Sequence, residues 1–363
     1  MELIVATSEL DAVGGIQSYA LTIASALQRL GNGVTLYAER LGDAARLAEE
    51  AGLRVTTRAR ELPRDVGAVL PQDASSAIAM LDLLPRTPLV YVAHGPDFDG
   101  FWPPQLEGAV GAVVALSERS RRRLETLAVV PRIERLSQPI DLARFGPRGA
   151  LREQPREVLL LGNHLNGPRL DLLTSLLDEL GLRWSRIGSR GEPSSRPEEA
   201  IARADVVVGY SRSILEGMAM GRAAYVYDFD GTDGWVTPAS YAEMEADGFR
   251  GIATDRTVAR DRLRADLLAY SPEMGPANRD LVRRHHNALD HAGELVRLLR
   301  DLGVPQGPSG APLFELKRLS RREFQQAQHA RAVERHLQEV HERLARAERE
   351  LEELRSRRRR WRS

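Results

Sequence analysis

The first part of the chain alternates short apolar runs with segments whose apolar residues recur at helical spacing. The apolar runs predict strands at residues 3–7, 34–38, 67–70, 89–93 and 112–116. The helix predicted after the first strand has one apolar face, formed by Ile16, Tyr19, Ile23, Leu27 and Leu30. Strands that alternate with helices are typical of a parallel sheet covered by helices, so we predict a doubly wound α/β domain over residues 1–145.

A segment rich in Pro, Gly and Arg, residues 139–157, interrupts this alternation. The pattern then restarts, with strands predicted at residues 158–162, 183–187, 204–209 and 223–228 and helices at 168–180, 214–220 and within 257–302. We predict a second doubly wound domain over residues 146–302. Open α/β sheets bind ligands beyond the carboxyl ends of their strands, so a cleft between the two sheets is the expected site.

The end of the chain has a different pattern. Residues 303–313 have the composition of a linker, and residues 314–363 predict a separate helix. Its apolar stripe, at alternating spacings of four and three, consists of Val333, Leu337, Val340, Leu344, Ala347, Leu351 and Leu354. We therefore predict a coiled coil, and a homo-oligomer that associates through residues 324–355. Arg357–Arg360, near the end of this helix, are expected to contact an anionic membrane face peripherally.

Composition excludes several classes of function. The 363 residues include 51 Lys and Arg against 51 Asp and Glu, which gives no reason to expect nucleic acid as a partner. Lys317 is the one lysine, so phosphate contacts upstream of it require arginine, histidine or backbone N–H groups. The lack of cysteine excludes disulfides and cysteine nucleophiles. We expect a cytoplasmic protein, because the sequence shows neither a signal-peptide pattern nor an apolar run near ~18 residues.

Two predicted helix starts suit a phosphate. Gly14 and Gly15 precede the first helix, and Gly209 and Ser213 lie just before the helix predicted at 214–220. Helix N-termini offer backbone N–H groups and a favourable dipole to an anion. Glu216 follows Ser213 at the S/T-x-x-E spacing of a capping box, which by itself would explain this glutamate.

Five motifs occur in a familiar order along the chain. They are GGIQSYALTIASALQRLGNGVTLYA at 14–38, AHG at 93–95, VALSERSRRRL at 114–124, PIDLARF at 139–145 and LEGMAMGRAAYVY at 215–227. Together they resemble GT-B glycosyltransferases of the retaining family-4 type, over about residues 1–300. The resemblance implies two tandem Rossmann-like domains. It also implies a nucleotide-sugar donor held mainly by the second domain, an acceptor held mainly by the first, and no obligatory metal or other cofactor.

The resemblance also implies roles for residues of the second domain. Glu216 would accept hydrogen bonds from the ribose hydroxyls, in addition to or instead of capping the helix. Asn163 and Arg169 stand about where the family has Arg and Lys for the diphosphate, and Arg212 is expected to supply the missing charge. A second family glutamate, eight positions before the ribose-binding one, is replaced by Val208, a departure that bears on the chemistry or the donor pose. The predicted donor site comprises Gly14, Gly15, Asn163, Arg169, Arg212, Ser213 and Glu216.

His94 is the predicted catalytic residue of the first domain. It follows a predicted strand, and the resemblance places such a histidine beside the transferred sugar, where it hydrogen-bonds a hydroxyl. A turn histidine with a satisfied ring is the alternative. Asp97 and Trp102, in the loop that follows, are predicted acceptor contacts, and a solvated loop explains the aspartate nearly as well.

We therefore predict a transferase that moves a sugar from a nucleoside diphosphate to an acceptor hydroxyl with retention of configuration. Two D-x-D pairs, Asp97 with Asp99 and Asp228 with Asp230, would suit a divalent cation, but the two predicted domains argue against that class of transferase. Residues 228–238 are predicted as a loop beneath the donor site. The alternatives are a catalytically impaired relative that binds nucleotide sugars or glycans or acts as a scaffold, and an epimerase of related architecture.

Overall fold

The computed structural model describes residues 1–303, except 96–100, 130, 148, 164, 189–193, 195, 229 and 255–257, and residues 316, 317, 319, 320, 323, 326, 330, 337 and 344. The chain divides into two compact units, Met1–Ser309 and Gly310–Ser363. The first unit contains two α/β halves, and the described residues of the second unit are helical.

The described strands of the first half are all parallel. Strands β1 to β7 comprise Glu2–Leu10, Gly33–Leu41, Arg54–Thr56, Val66–Pro71, Val90–Ala93, Ala112–Ala115 and Arg132–Arg135. They pair in the orders β3-β2-β1-β4 and β5-β6-β7, and a parallel bridge between Val69 and Leu89 links the two groups. The strand order reverses between β1 and β4, and doubly wound sheets bind ligands at such a point.

Helices α1 to α4 of this half comprise Gly15–Arg29, Asp43–Glu50, Ala74–Leu83 and Glu118–Leu124. The predicted apolar face of α1 is confirmed for Tyr19, Ile23 and Leu27, which are fully buried. α4 begins at a side-chain cap, because Ser117 Oγ accepts a hydrogen bond from the Ser120 N–H at 3.1 Å.

The second half contains a five-stranded sheet. Strands β8 to β12 comprise Glu157–Leu161, Arg183–Ile187, Val206–Gly209, Ala223–Tyr227 and Thr232–Trp235. Helices α5 to α10 comprise Gly167–Glu179, Pro197–Ile201, Arg212–Ala219, Tyr241–Asp247, Arg260–Leu268 and Met274–His285. The strand order is β12-β11-β10-β8-β9, with β12 antiparallel to β11. The predicted pair of tandem doubly wound sheets is therefore confirmed.

The segment 228–238 differs from the predicted loop. It contains β12, which pairs back onto β11, and Thr232 Oγ1 donates to the Val226 carbonyl at 2.9 Å. The Trp235 ring meets Tyr225 edge to face, with centroids 5.0 Å apart. Turn residues in this stretch suggested a loop, but pairing with β11 and aromatic packing favour a strand.

The last helix of the first unit, α11 (Ala288–Arg300), crosses back to the first half. Its buried apolar residues join the core that contains Ile23 and Leu27 of α1, and they are Ala288, Ala292, Leu295, Leu298 and Leu299. The chain thus passes between the halves twice, and the two crossings are hydrogen-bonded to each other. The Ile140 N–H donates to the His286 carbonyl at 2.7 Å, and the Ala288 N–H donates to the Ile140 carbonyl at 3.1 Å.

Two residues of the predicted coiled-coil stripe lie within the described part of the second unit. Leu337 and Leu344, one heptad apart, are helical and have 52% and 56% of their surface exposed in the single chain. Val333, Val340, Ala347, Leu351, Leu354 and Arg357–Arg360 lie outside the described residues, as do residues 304–313 of the predicted linker. Within the described part of the chain, no helix combines the length and apolar character needed to cross a bilayer.

Candidate functional site

A cleft of about 560 Å³ lies between the two α/β halves, at the carboxyl ends of both sheets. Residues that follow β1, β5 and β6 line it from the first half, and residues that follow β8, β9 and β10 line it from the second. Of the predicted site residues, those on its wall are Gly14, Gly15, His94, Asn163, Arg212, Ser213 and Glu216. This is the position at which open α/β sheets bind ligands.

The start of α7 lies at the centre of the second-half wall. Ser211 precedes the helix with φ 50° and ψ −127°, a conformation that non-glycine residues rarely adopt and that costs about 1–3 kcal/mol. The Ser211 N–H donates to the Phe249 carbonyl at 2.8 Å, which holds the turn in this shape. Backbone strain of this kind is common beside ligands.

The capping box predicted for Ser213 and Glu216 does not form. Ser213 lies inside α7, where its Oγ donates to the Tyr210 carbonyl at 2.6 Å and accepts the Tyr210 N–H at 3.1 Å. Glu216 instead pairs with Arg212, one turn before it. The helix starts at Arg212, after Ser211, which is two residues earlier than a Ser213 cap requires, so capping does not explain Glu216.

Arg212 and Glu216 form a buried ion pair that joins the two halves. Arg212 Nε donates to Glu216 Oε1 at 2.9 Å, Nη1 donates to the Pro139 carbonyl at 2.9 Å, and Nη2 donates to Thr22 Oγ1 of α1 at 2.8 Å. Burial raises the pKa of Glu216 and lowers the pKa of Arg212, while the charge of each partner opposes the other's shift. Arg212 reaches the cleft as predicted, but these three bonds orient it towards Glu216, Pro139 and Thr22.

Arg169 is not on the cleft wall, in contrast to its predicted place beside the diphosphate. Its Nη1 and Nη2 donate to the carbonyls of Asp228 and Asp230, at 2.9 and 3.4 Å, so it supports the β11–β12 connection. Arg250 lines the cleft instead and pairs with Asp230 Oδ2 at 2.7 Å. No sequence pattern distinguishes Arg250 from the many other arginines, because its place depends on the tertiary contact between Phe249 and the α7 turn.

His94 follows β5 and lines the cleft. Its Nε2 lies 2.8 Å from Gln72 Oε1, and Gln72 Nε2 donates to the Leu70 carbonyl at 2.8 Å. This second bond points Oε1 at the ring, so we assign the His94 proton to Nε2. Burial, together with the charge of Arg212, lowers the pKa of His94 to about 3. The ring is therefore neutral near pH 7, and Nδ1 carries a lone pair that can accept a hydrogen bond.

The start of α1 faces the cleft through its glycines. A Cβ at Gly15 would meet nothing within 4 Å, whereas one at Gly14 would lie 2.8 Å from Gln17 Oε1. The free N–H groups of this 15-residue helix and its dipole favour an anion here, and its first turn contains no acidic residue.

Of the two predicted acceptor contacts, the structure describes Trp102. Trp102 is not on the cleft wall, although its neighbour Phe101 is, and the guanidinium carbon of Arg123 lies 5.2 Å from the Trp102 ring centroid. Asp97 lies outside the described residues. The predicted site contains no residue of α4, although Arg119 and Arg123 line the cleft. Their four-residue spacing was the available signal.

Val208 is a core residue and not a cleft residue. It is 1% exposed in β10 and packs with Leu160 and Tyr225. Only Tyr210 and Ser211 separate β10 from α7, so the chain has no longer loop here to carry a second carboxylate. Within the described part of the chain, no group of three or more His, Asp or Glu side chains is placed to hold a metal ion.

No protein-family model and no curated protein matches this chain. Among solved structures, a glycosyltransferase from Rickettsia africae superposes with a TM-score of 0.55 at 12% identity, over 83% of this chain and 98% of that one. HepE from Anabaena, solved with UDP, gives 0.53 at 11% identity, over 83% and 100%. AviGT4, a glycosyltransferase involved in avilamycin A biosynthesis, gives 0.52 at 15% identity, over 82% and 96%. The chain therefore has the GT-B fold that these structures share.

Proposed function

We propose that the protein is a glycosyltransferase that moves a sugar from a nucleoside diphosphate to an acceptor hydroxyl, with retention and without a metal ion. The observation that carries this proposal is the cleft between two Rossmann-like sheets, on whose wall the start of α1, the start of α7 and Glu216 come together. Two of the solved structures that share the fold are of glycosyltransferases, and HepE was solved with UDP.

In this proposal the donor lies mainly against the second half. Glu216 accepts hydrogen bonds from the ribose hydroxyls through Oε2, because Arg212 engages Oε1. Asn163, Ser213 and the N–H groups at the two helix starts surround the diphosphate. Arg250 takes the place that the sequence assigned to Arg169, since it lines the cleft and Arg169 does not. Arginine binds phosphate oxygens in bidentate fashion, so it can fill this role without lysine.

His94 acts on a hydroxyl as a neutral hydrogen-bond acceptor. Its low pKa excludes a protonated ring near pH 7, so it neither carries positive charge to the diphosphate nor serves as a general acid. Nδ1 accepts a hydrogen bond from a sugar or acceptor hydroxyl, which positions that group for transfer. The leaving diphosphate assists the incoming hydroxyl, a step that needs no carboxylate at Val208.

Turnover and stereochemistry test this proposal directly. Wild-type protein is incubated with sugar conjugates of UDP, GDP, TDP and ADP, with and without EDTA, and release of the diphosphate is followed. We expect release with one nucleotide class, unchanged by EDTA, an α-configured product from an α-configured donor, and a rate roughly tenfold lower in His94→Ala, which loses one hydrogen bond. Inversion, or loss of activity in EDTA, would contradict the proposed chemistry.

A non-catalytic binding protein is the second candidate. Two observations favour it: Glu216 already has a charged partner in Arg212, and the position of the usual second glutamate is buried at Val208. Nucleotide binding without turnover of any conjugate, and without conversion of the donor to an epimer, would support this candidate over the transferase.

We also propose that the chain is a cytoplasmic homo-oligomer that associates through residues 324–355 and contacts anionic membrane through Arg357–Arg360. Exposed Leu337 and Leu344 support the association, because apolar side chains one heptad apart are typical of a coiled-coil seam. Light scattering is expected to give a multiple of the chain mass, and a mass of 40.3 kDa at micromolar concentration would contradict association.

A further inference from the structure

Gln72, the hydrogen-bond partner of His94, follows directly after β4. Its side chain is fully buried, so water does not compete for its amide oxygen. The Gln72 N–H donates to the Ala6 carbonyl of β1 at 2.9 Å, which continues the parallel pairing of Pro71 with Ala6. The backbone that carries this amide is therefore held in place by the sheet.

The Leu70 carbonyl determines which end of the Gln72 amide meets the His94 ring. Gln72 Nε2 donates to this carbonyl at 2.8 Å, which leaves Oε1 for His94 Nε2, also at 2.8 Å. In the exchanged orientation Oε1 would lie against the carbonyl oxygen, and two acceptors do not form a hydrogen bond. His94 Nε2 therefore carries the proton of this contact, because an amide oxygen has none to donate.

Two other side chains act on the His94 ring. The Tyr19 ring of α1 packs against it edge to face, with centroids 4.8 Å apart. The Tyr19 hydroxyl is engaged elsewhere, because it lies 2.8 Å from His291 Nε2. The positive charge of Arg212 disfavours a second proton on His94. Neither neighbour therefore competes with Gln72 for the ring nitrogens.

A neutral amide at position 72 has a different effect from a carboxylate. A carboxylate would also accept the Nε2 proton, but its charge would favour the imidazolium form of the ring. Asp73, the next residue, does not have this effect through a hydrogen bond to the ring. Its Oδ1 accepts the Ser76 N–H at 2.8 Å, and its Oδ2 accepts the Ser8 N–H at 2.7 Å. Gln72 thus supplies an acceptor without adding a negative charge.

The second ring nitrogen of His94, Nδ1, is open to the cleft. His94 lines the cleft, and Nδ1 makes no hydrogen bond to another described residue. Nδ1 is also not among the buried polar atoms that lack a partner, so a ligand can reach it. With the proton on Nε2, Nδ1 only accepts hydrogen bonds. The ligand group that it meets is therefore a donor such as a hydroxyl, and not an oxygen of a carboxylate or a phosphate.

Resting on the glycosyltransferase proposed above, we infer that Gln72 is a positioning residue of the transfer reaction, which fixes the proton of His94 on Nε2 and keeps the ring uncharged. Nδ1 then selects a hydroxyl of the sugar or of the acceptor and orients it for transfer. Gln72 does not line the cleft, so it acts through His94.

The test observes the His94 ring directly, before any substrate is added. The full chain is labelled with ¹⁵N in its eight histidines, and the spectrum of His94→Ala identifies the His94 signals by their absence. Long-range ¹H–¹⁵N correlations distinguish the Nε2–H tautomer, the Nδ1–H tautomer and the imidazolium. Gln72→Met removes the acceptor at similar side-chain length, and Gln72→Glu keeps an acceptor but adds charge.

We expect the wild type to show the Nε2–H tautomer throughout about pH 5–8. Gln72→Met should populate the Nδ1–H tautomer, because a buried Nε2–H without an acceptor is unfavourable. Gln72→Glu should show the imidazolium as the pH is lowered through this range, since a carboxylate raises the pKa of a neighbouring histidine. The control is Gln28→Met, since the Gln28 amide also donates to a backbone carbonyl, that of Gly52 at 3.2 Å, but does not line the cleft.

Turnover then connects the state of the ring to the reaction. With the donor that the wild type uses, kcat should fall about tenfold in Gln72→Met, because the hydroxyl loses its acceptor in part of the molecules. The affinity for the free diphosphate should stay unchanged, since other residues bind that group. In Gln72→Glu, kcat should decline with falling pH in step with the protonation of His94. Gln28→Met should match the wild type in both measurements.

Three results would overturn the inference. They are an Nδ1–H tautomer in the wild type, a His94 ring that titrates identically in the wild type and Gln72→Glu, and equal kcat in Gln72→Met and Gln28→Met. If Gln72→Met does not fold, the ring charge in Gln72→Glu still decides. The proposed function is tested separately. A wild type with the expected tautomer that turns over no nucleotide sugar contradicts the transferase, whereas turnover by a wild type with the other tautomer contradicts only the role of Gln72.

Discussion

At the scale of single residues, Arg212 determines how the proposed ribose contact is oriented. It holds Glu216 Oε1, and the same guanidinium bonds Thr22 of the first half and the carbonyl of Pro139 between the halves. A carboxylate in a ligand site needs its orientation fixed by neighbouring groups, and here one side chain does so from both halves. The pair is 7% exposed at each residue, so any unmade bond is costly.

Thr22 offers a test of this arrangement that leaves the cleft wall unchanged. Thr22→Val keeps the shape but removes the acceptor for Arg212 Nη2, so we expect the free energy of unfolding to fall by about 1–3 kcal/mol. Thr22→Ser keeps the hydroxyl and should retain most of that stability. Urea unfolding measures both changes. The arrangement is contradicted if Thr22→Val lowers the free energy of unfolding no more than Thr22→Ser does, because the hydroxyl would then contribute nothing beyond the methyl group.

At the scale of elements, two histidines hold the segment by which the chain first crosses between the halves. His291 Nδ1 lies 2.8 Å from the Ser137 carbonyl and His286 Nδ1 lies 2.8 Å from the Gln138 carbonyl, so both Nδ1–H groups donate. Each Nε2 then accepts a tyrosine hydroxyl at 2.8 Å, from Tyr19 for His291 and from Tyr241 for His286. Both rings must be neutral for this pattern.

Stability should therefore decrease as the pH is lowered through the acid range. Burial lowers the pKa of His286 and of His291 to about 4, against about 6.5 in an unfolded chain. Between these values the unfolded state binds more protons than the folded state, so stability is full above about pH 6.5 and declines as pH falls towards 4. His291→Asn should flatten this decline in the melting temperature. The exposed His285→Asn is the control, and an identical profile for His291→Asn and wild type would contradict the assignment.

At the scale of the whole molecule, the first unit forms its candidate site from residues of both halves. The first half contributes His94 to the cleft wall, and its Thr22 holds Arg212 in place. The second half contributes Arg212, Glu216 and Arg250. Helix α11 returns from the second half and packs in the core of the first. The halves also meet closely at Gly248, where a Cβ would lie 3.3 Å from Ser117 Cβ, so a larger residue there would push α4 away. The cleft thus depends on the mutual placement of both halves.

The sheets and most helices could be predicted from the sequence, because buried strands such as β1, β8 and β10 contain short apolar runs. The start of α7 could not be predicted from the sequence, because the strained turn at Ser211 depends on a hydrogen bond to Phe249, which is far away in the chain. The arginines were the least predictable part of the site. A long side chain reaches many positions, and only tertiary structure shows that Arg169 binds backbone carbonyls while Arg250 lines the cleft.

The most direct test of the central claim is the thermal stabilisation of the protein by UDP, GDP, TDP and ADP, in wild type, Glu216→Gln and Glu245→Gln. Glu245 also pairs with an arginine, Arg135, but does not line the cleft, so its variant controls for the loss of an ion pair. Binding adds ~2.7 kcal/mol at a hundredfold excess over Kd, and the quantity compared is the shift that the ligand produces in each protein. We predict that one nucleotide stabilises the wild type and Glu245→Gln against heat but does not stabilise Glu216→Gln. A shift of equal size in all three proteins, or no shift with any nucleotide in folded wild type, would contradict it.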